Sequence, residues 1–295
     1  MSTITRIKGE INNPNFPVLT ADGLKSYYYG KYVNALAELG FTLSETQDAA
    51  IETFLNTLMD NEVMQFVKCM YPLIGTTSVP LAANVPLIGD KSFGLPSDFD
   101  GFVYDGNAIR GYNKLPAVAT LKAKDFAEDN NAVGMAVTLN KSSTTNVSSF
   151  TDRLLSFDDT SFQVRLQKQS GTKPRLAFYC MLHSGSKASL VANTGALDTD
   201  AAGTMIGGWI FASDPYFSRW VKIGTTVNKA KGTDIANWPA LSNADMEQPM
   251  IASTPAYTCV NYVSTITAFQ GRPSVAQLSV YMEALETLIT ALGKG

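Results

Sequence analysis

The chain has 295 residues, 45% of them apolar, enough for one large β-domain with an extension or for two domains. Only 17% of residues are charged, the net charge is −3, and no block of like charges occurs, so the clustered Lys and Arg that counterion-driven nucleic-acid binding requires are missing. Cys69, Cys180 and Cys259 are odd in number and widely spaced, which argues against a disulfide framework or a structural zinc site and for buried free thiols, as suits assembly in a reducing cytoplasm.

The first residues, MSTITRIKGEINN, lack the basic-then-apolar order of a signal peptide. No apolar run approaches the ~20 residues of a membrane span. The expectation is a soluble chain that is not exported by a cleaved signal. Residues 1–20 read as an extended arm. Thr3, Thr5, Ile7, Gly9 and Ile11 alternate with Ile4, Arg6, Lys8 and Glu10, as in an edge strand. Pro14 and Pro17, flanking Phe16, then block regular structure. Two fates stay open for such an arm: disorder, or addition as a strand to another chain. In the second case Ile4, Ile7, Ile11 and Phe16 are the assembly contacts.

Residues 21–71 read as a helical anchoring segment. Leu24, Tyr28, Tyr32, Leu36 and Leu39 form one stripe, and Gly40 ends that helix. In SETQDAAIETFLNTLMD, Ser44 and Gln47 make a capping box, and Ile51, Phe54, Leu55 and Leu58 supply an apolar face. NEVMQFVKCM is expected to continue as a short third helix, stopped at Tyr71-Pro72.

From residue 72 the pattern changes to short β-branched and aromatic segments between Gly, Pro, Asn and Asp. GFVYDGNAIRGY predicts a hairpin with an Asp-Gly turn. Val133, Met135, Val137 and Leu139 alternate in NAVGMAVTLN. A second hairpin runs from Phe162, Val164 and Leu166 through Ser170-Gly171 and returns with Leu176, Phe178, Cys180 and Leu182. GTMIGGWIFAS pairs with SRWVKIGTTVNKA across DPYF, and CVNYVSTITAF is the last strand. Turn signals every eight to fifteen residues suit a sandwich or jelly roll rather than β-α units. The chain closes with a helix, capped by Ser274 and Gln277. Leu278, Tyr281, Leu285, Leu288 and Leu292 line one face, and Gly293 is the stop. That face has to be buried against the sandwich, the N-terminal helices or a neighbouring subunit.

No stretch spells a reaction. His183 is the only histidine. It stands at the end of an expected strand, away from any G-x-S-x-G, and reads as a turn residue. The Glu-x-Asp-x-x-Glu string that places glycosidase carboxylates along one strand is missing, although carboxylates from separate strands could still meet. Asp198 and Asp200, and the fragment SDFDG, lack the further ligands of a calcium loop and read as solvated turns. The expectation is therefore no enzyme, no metal and no cofactor. Trp209 reads as core. Tyr216, Trp220 and Trp238 are the candidate contacts for a glycan or a partner, since aromatic faces stack well at little entropic cost; local packing is the competing reading.

Three pieces together resemble a family. The helices end in CMYPLIG, DGNAIRGY follows, and the chain closes with STITAFQGRPSVAQLSVYMEALETLITALGKG. This resembles the concanavalin-like (laminin-G-like) jelly-roll proteins of tailed-bacteriophage virions. There a Tyr-Pro-Leu/Val-x-Gly stretch commonly follows a helix, and a closing segment packs beside the sandwich. Gly271, Leu278, Tyr281, Leu288, Leu292 and Gly293 fit that segment, while Val275-Ala276-Gln277 departs from its acidic start. The likeness covers most of residues 50–295, and its motifs are structural. It implies a concanavalin-like jelly-roll sandwich over 72–295, closed by a helix at 274–292. It also implies a virion structural protein, such as a fibre, tail or capsid-decoration component, assembled in the host cytoplasm. The implied partners are other virion proteins, copies of itself (trimeric by the habit of phage fibres) and host-surface glycan, without nucleic acid or membrane insertion. A polysaccharide-degrading or stand-alone sugar-binding protein on the same fold is the alternative.

Overall fold

A computed structural model describes residues 21–89, 102–104, 109–111, 133–141, 149–157, 162–172, 175–180, 190–192, 203–212, 216–223, 225–231, 250–256 and 261–294. Helices α1 (Ala21–Glu38) and α2 (Glu45–Asp60) come first. α2 begins with the expected capping box: the Gln47 amide donates to Ser44 Oγ while Gln47 Oε1 accepts from the Ser44 amide. Ile51, Phe54, Leu55 and Leu58 are its buried face, as their spacing predicts.

Strands follow in the order β1 (Val67–Tyr71), β2 (Phe102–Tyr104), β3 (Ile109–Gly111), β4 (Val133–Lys141), β5 (Phe150–Phe157), β6 (Phe162–Lys168) and β7 (Arg175–Cys180). Then come β8 (Leu190–Ala192), β9 (Gly203–Ala212), β10 (Tyr216–Ile223), β11 (Thr226–Lys231), β12 (Met250–Ala256) and β13 (Asn261–Phe269). Helix α3 (Val275–Ala291) closes the chain. One sheet has the order β11-β10-β9-β4-β13-β3-β2, with β1 also on β13; the other runs β12-β5-β6-β7-β8. Every described strand pair is antiparallel. The molecule is a mainly β jelly-roll sandwich with an N-terminal helical segment and a C-terminal helix.

The expected hairpins are present. β2 pairs with β3, and β6 with β7 in a register that sets Val164 opposite Phe178 and Leu166 opposite Leu176. Four details differ from expectation. Residues 62–71 do not continue as helix: a 3-10 turn at Met64–Phe66 leads into β1, whose residues pair along β13. Tyr216 and Phe217 belong to β10 rather than to the connection before it. SRWVKIGTTVNKA is not one strand but two, β10 and β11, with Ile223 opposite Thr226. Leu39, placed on the stripe of α1, is 38% exposed. It lies past the last turn, where the chain has already left the packed face.

The three described helices end in the same way. The amide of the second residue beyond the C-cap donates to a carbonyl five residues back: Phe41 to Leu36, Val63 to Leu58, and Lys294 to Ile289. The residue between adopts the left-handed region, Gly40 at φ 76° and Gly293 at φ 71°. At the end of α2 that residue is Glu62, at φ 55°. This is the Schellman arrangement, which satisfies carbonyls a helix end otherwise leaves open.

The two faces of the larger sheet have different neighbours. Along β9, a Cβ built on Gly207 would meet Leu176 of β7 at 2.8 Å, whereas one on Gly208 would meet Met282 and Leu278 of α3 at 2.7 and 3.3 Å. Successive residues of a strand point to opposite faces, so one face covers the second sheet and the other carries the helices. Met135, Val137, Leu139, Met205 and Trp209 fill the first face by this parity, and all are buried. Across the helix-facing side, Trp220, Gly208, Ala136, Thr267 and Met70 stand in one cross-strand row. α3 lies on β9, β10 and β11, and α2 packs on α3. Tyr32, Leu36, Ile51, Phe54, Leu58, Ile206, Ile210, Trp220, Phe269, Leu278, Leu285 and Leu288 belong to one continuous core.

Candidate functional site

Of the aromatic residues assigned to glycan or partner contact, the structure corrects one. Trp220 is 1% exposed and lies in the core between the sheet and the helices. A ring covered in this way offers no face to a sugar. Its position on the sheet explains the burial: it is directly opposite Gly208, on the face that α3 covers. Tyr216 opens β10 opposite Ala212, but its side chain lies outside the described residues, as do Trp238, His183, Asp198, Asp200 and the arm residues Ile4, Ile7, Ile11 and Phe16. Trp209 is fully buried, as expected. Among the described residues no helix is long and apolar enough to cross a membrane, and no group of three His, Cys, Asp or Glu residues is placed to hold a metal.

The contacts that the motifs did not reveal are those joining α3 to its neighbours. Tyr281 is the joint. Its ring meets Phe269 of β13 edge-on at 4.8 Å and Phe54 of α2 at 5.8 Å. Its hydroxyl shares a 2.5 Å hydrogen bond with Thr267. Burial pushes the Tyr281 hydroxyl far above the usual phenol range, so it stays neutral and satisfies Thr267 without a charge in the core. At the edge of the seam, Lys222 of β10 pairs with Glu286, and Lys229 of β11 donates to Glu283 at 2.9 Å. At the far end of α3, the buried Lys294 Nζ donates to the carbonyl of Leu73. Leu73 itself has φ 48° and is fully buried. Lys31 Nζ of α1 donates to the carbonyl of Gly89. The helical layer thus grips both ends of the 73–89 segment as well as the sheet.

On the outer side of this layer, α2 and α3 leave a groove of about 800 Å³ between them. Ala49, Ala50, Thr53 and Thr57 form one wall; Val280, Ala284, Thr287 and Ala291 form the other; Phe54 and Leu288 lie at its base. Three of the four threonines that line it, Thr53, Thr57 and Thr287, have given their hydroxyl protons to their own helices; Thr46 is the fourth. Thr53 donates to the carbonyl of Ala49, Thr57 to that of Thr53, and Thr287 to that of Glu283, at 2.8, 2.9 and 3.1 Å. Glu45 and Glu283 also line the groove.

Two further groups have perturbed acidity. Burial pushes the Cys69 thiol up to about 12, so it is a neutral core side chain rather than a nucleophile. Tyr29 donates to Asp48 Oδ1 at 2.5 Å. That bond, with some burial and the nearby Asp48 and Glu52 charges, raises its hydroxyl to about 12.

No protein-family model and no curated protein matches the chain. Solved structures with a similar shape include Trypanosoma rangeli sialidase, at 10% identity and a TM-score of 0.45, over 82% of this chain and 39% of that one. The receptor binding domain of botulinum neurotoxin mosaic serotype C/D is similar at 6% identity and a TM-score of 0.43, over 75% and 51% of the two chains. A GH43 protein from Bacillus licheniformis is similar at 12% identity and a TM-score of 0.39, over 68% and 39%. The chain therefore spans between 39% and 51% of the length of these structures.

Proposed function

We propose that the protein is a non-catalytic structural component of a tailed-bacteriophage virion, a fibre, tail or capsid-decoration protein. It presents its sandwich to a host-surface glycan or to neighbouring virion proteins, and works as several copies assembled in the host cytoplasm. The observation that supports this reading is the closing helix. The resemblance in its residues implies a segment packed beside the sandwich, and α3 lies on the larger sheet with Leu278, Tyr281, Leu288 and Leu292 buried. Fold alone does not assign a role, so the reading stands on assembly behaviour. Residues 1–20 serve as the arm by which one copy engages the particle or a neighbour.

Light scattering on the full chain and on a chain lacking residues 1–20 tests it. The expected result is a defined oligomer for the full chain and dissociation after truncation. A monomer in both forms contradicts the assembly role and leaves a free-standing sugar-binding or sugar-degrading protein as the reading to test next, on a glycan panel.

A further inference from the structure

We infer that the groove between α2 and α3 is a docking site for an amphipathic helix of another protein, one that carries Lys or Arg beside its apolar stripe. The chemistry of the groove selects a helix. Its walls are mainly Ala, Val and the methyl-bearing Thr side chains, its base is Phe54 and Leu288, and Glu45, Thr46, Asn61 and Glu283 are the other polar groups that line it. Thr53, Thr57 and Thr287 have donated their hydroxyl protons to their own helices. A sugar needs directional polar partners, and an extended peptide needs partners for its open backbone groups. Along the middle of the walls no threonine proton is free for either, and Glu45, Thr46 and Asn61 stand only at the ends. A helix satisfies its own backbone and needs only apolar surface and close approach.

The dimensions agree. Lining residues run from Glu45 to Asn61 on α2, a rise of about 24 Å at 1.5 Å per residue. That accommodates about four turns of a docked helix. Small residues on both walls let the axes come within the usual 8–10 Å or so of packed helices.

Charge decides what kind of helix. α2 carries Glu45, Asp48, Glu52 and Asp60 and no basic residue, and α3 carries Glu283 and Glu286 and no basic residue. Asp48 is held by Tyr29, and the two α3 glutamates are held by lysines of the sheet. Glu45 lines the groove with no ion-pair partner among the described residues. Of the two carboxylates that line the groove Glu283 is held and Glu45 is open, so the groove favours a cationic visitor over an anionic one through Glu45. The inference does not depend on the virion reading. Arm-dependent assembly can fail while the groove binds, and the reverse.

The test uses the full chain and two fluorescein-labelled synthetic 14-residue helical peptides. Both carry leucines at three- and four-residue spacing; one is flanked by lysines and the other by glutamates. Anisotropy titration should show saturable binding of the lysine peptide at micromolar concentration, at least about tenfold weaker binding of the glutamate peptide, and weakening in high salt. Thr53→Arg and Thr287→Arg place a bulky cation on each exposed wall and should abolish binding while the melting temperature stays put. No saturation by about 200 μM (a free energy near −5 kcal/mol) overturns the inference. So does equal binding of both peptides, or unchanged binding by the two variants. If either variant instead dissociates an oligomer of the chain, a second copy occupies the groove and the inference of a foreign helix is wrong.

Discussion

The two faces of the larger sheet are both buried and differ most along one row, the row that runs under α3. The face toward the second sheet is filled with long side chains, Met135, Val137, Leu139, Met205 and Trp209. The face toward the helices has Gly208, Ala136 and Thr267 at its centre, with Trp220 and Met70 at the ends of the same row. A neighbouring sheet sits about 10 Å away and needs long residues to reach it. A helix brings its own leucines and methionine, so where α3 comes closest the strands need small residues, while Ile206, Ile210 and Phe269 fill the same face on either side. Leu278, Met282 and Leu285 supply from the helix what the sheet leaves out.

The harshest way to break the comparison is Leu285→Asp. It puts an unpaired carboxylate into the seam and should cost more than about 4 kcal/mol in a denaturant melt. A loss below about 1 kcal/mol would mean that α3 packs on nothing within the single chain. Two glycines side by side sharpen the comparison further. Gly207→Ala drives its new methyl into Trp209 at 2.3 Å and Leu176 at 2.8 Å, whereas Gly208→Ala meets the flexible sulfur of Met282 at 2.7 Å. The first should cost about 2–3 kcal/mol and the second about 1 kcal/mol. Equal costs would show that the two faces do not differ in how they yield.

This contrast also explains what was legible from residues alone. Val133, Met135, Val137 and Leu139 announce β4 because one face of it is large and apolar. Gly134, Ala136 and Thr138 hide the second buried face, since small residues read as solvent-facing; at Gly134 the space is taken by Ile210 and Phe269 of the neighbouring strands. Trp220 reads as a candidate contact because nothing in Ser218, Trp220 and Lys222 marks a covered face. The seam was legible from the other side, where the leucines of α3 and its capping box stand out. Besides β1, which reads as helix, three described strands, β5, β8 and β12, are missing from the expected set. FTDRLLSF breaks its apolar alternation with Asp152 and Arg153. LVA is only three residues long. MIASTPA contains Pro255, tolerated because β12 is an edge strand. Residues beyond 62 read as helix because Val63, Met64 and Val67 fall at helical spacing, while the termination at Glu62 has no glycine to announce it. The glycan-contact candidates other than Trp220 rest on residues whose side chains lie outside the described set.

Glu62 offers a smaller test. Glu62→Gly relieves a left-handed conformation that costs an L-residue about 1–2 kcal/mol, less the extra freedom glycine gains when unfolded. The expected net gain is about 0.5–1 kcal/mol, read as a higher denaturation midpoint at unchanged slope. A loss of stability would show that the Glu62 side chain contributes more than its backbone costs. The slightest effect concerns Tyr29. Its folded hydroxyl titrates near 12 against an ordinary 10.0. Raised in the folded state, it contributes stability that is complete below about pH 10 and lost as pH rises toward 12. A tyrosinate absorbance titration of the wild type and Tyr29→Phe should differ by one group ionising late, and identical curves would remove the Asp48 bond from the account.

The central claim is that sandwich and helices form one cooperative body, with α3 between them. Hydrogen exchange measured along a urea series tests this most directly. The account predicts that amides of α2, α3, β4 and β9 share one opening free energy and one urea dependence. Exchange of α1 and α2 through an opening that leaves α3 and the sheet protected would contradict it, and would make the helical segment a separable unit resting on the sandwich.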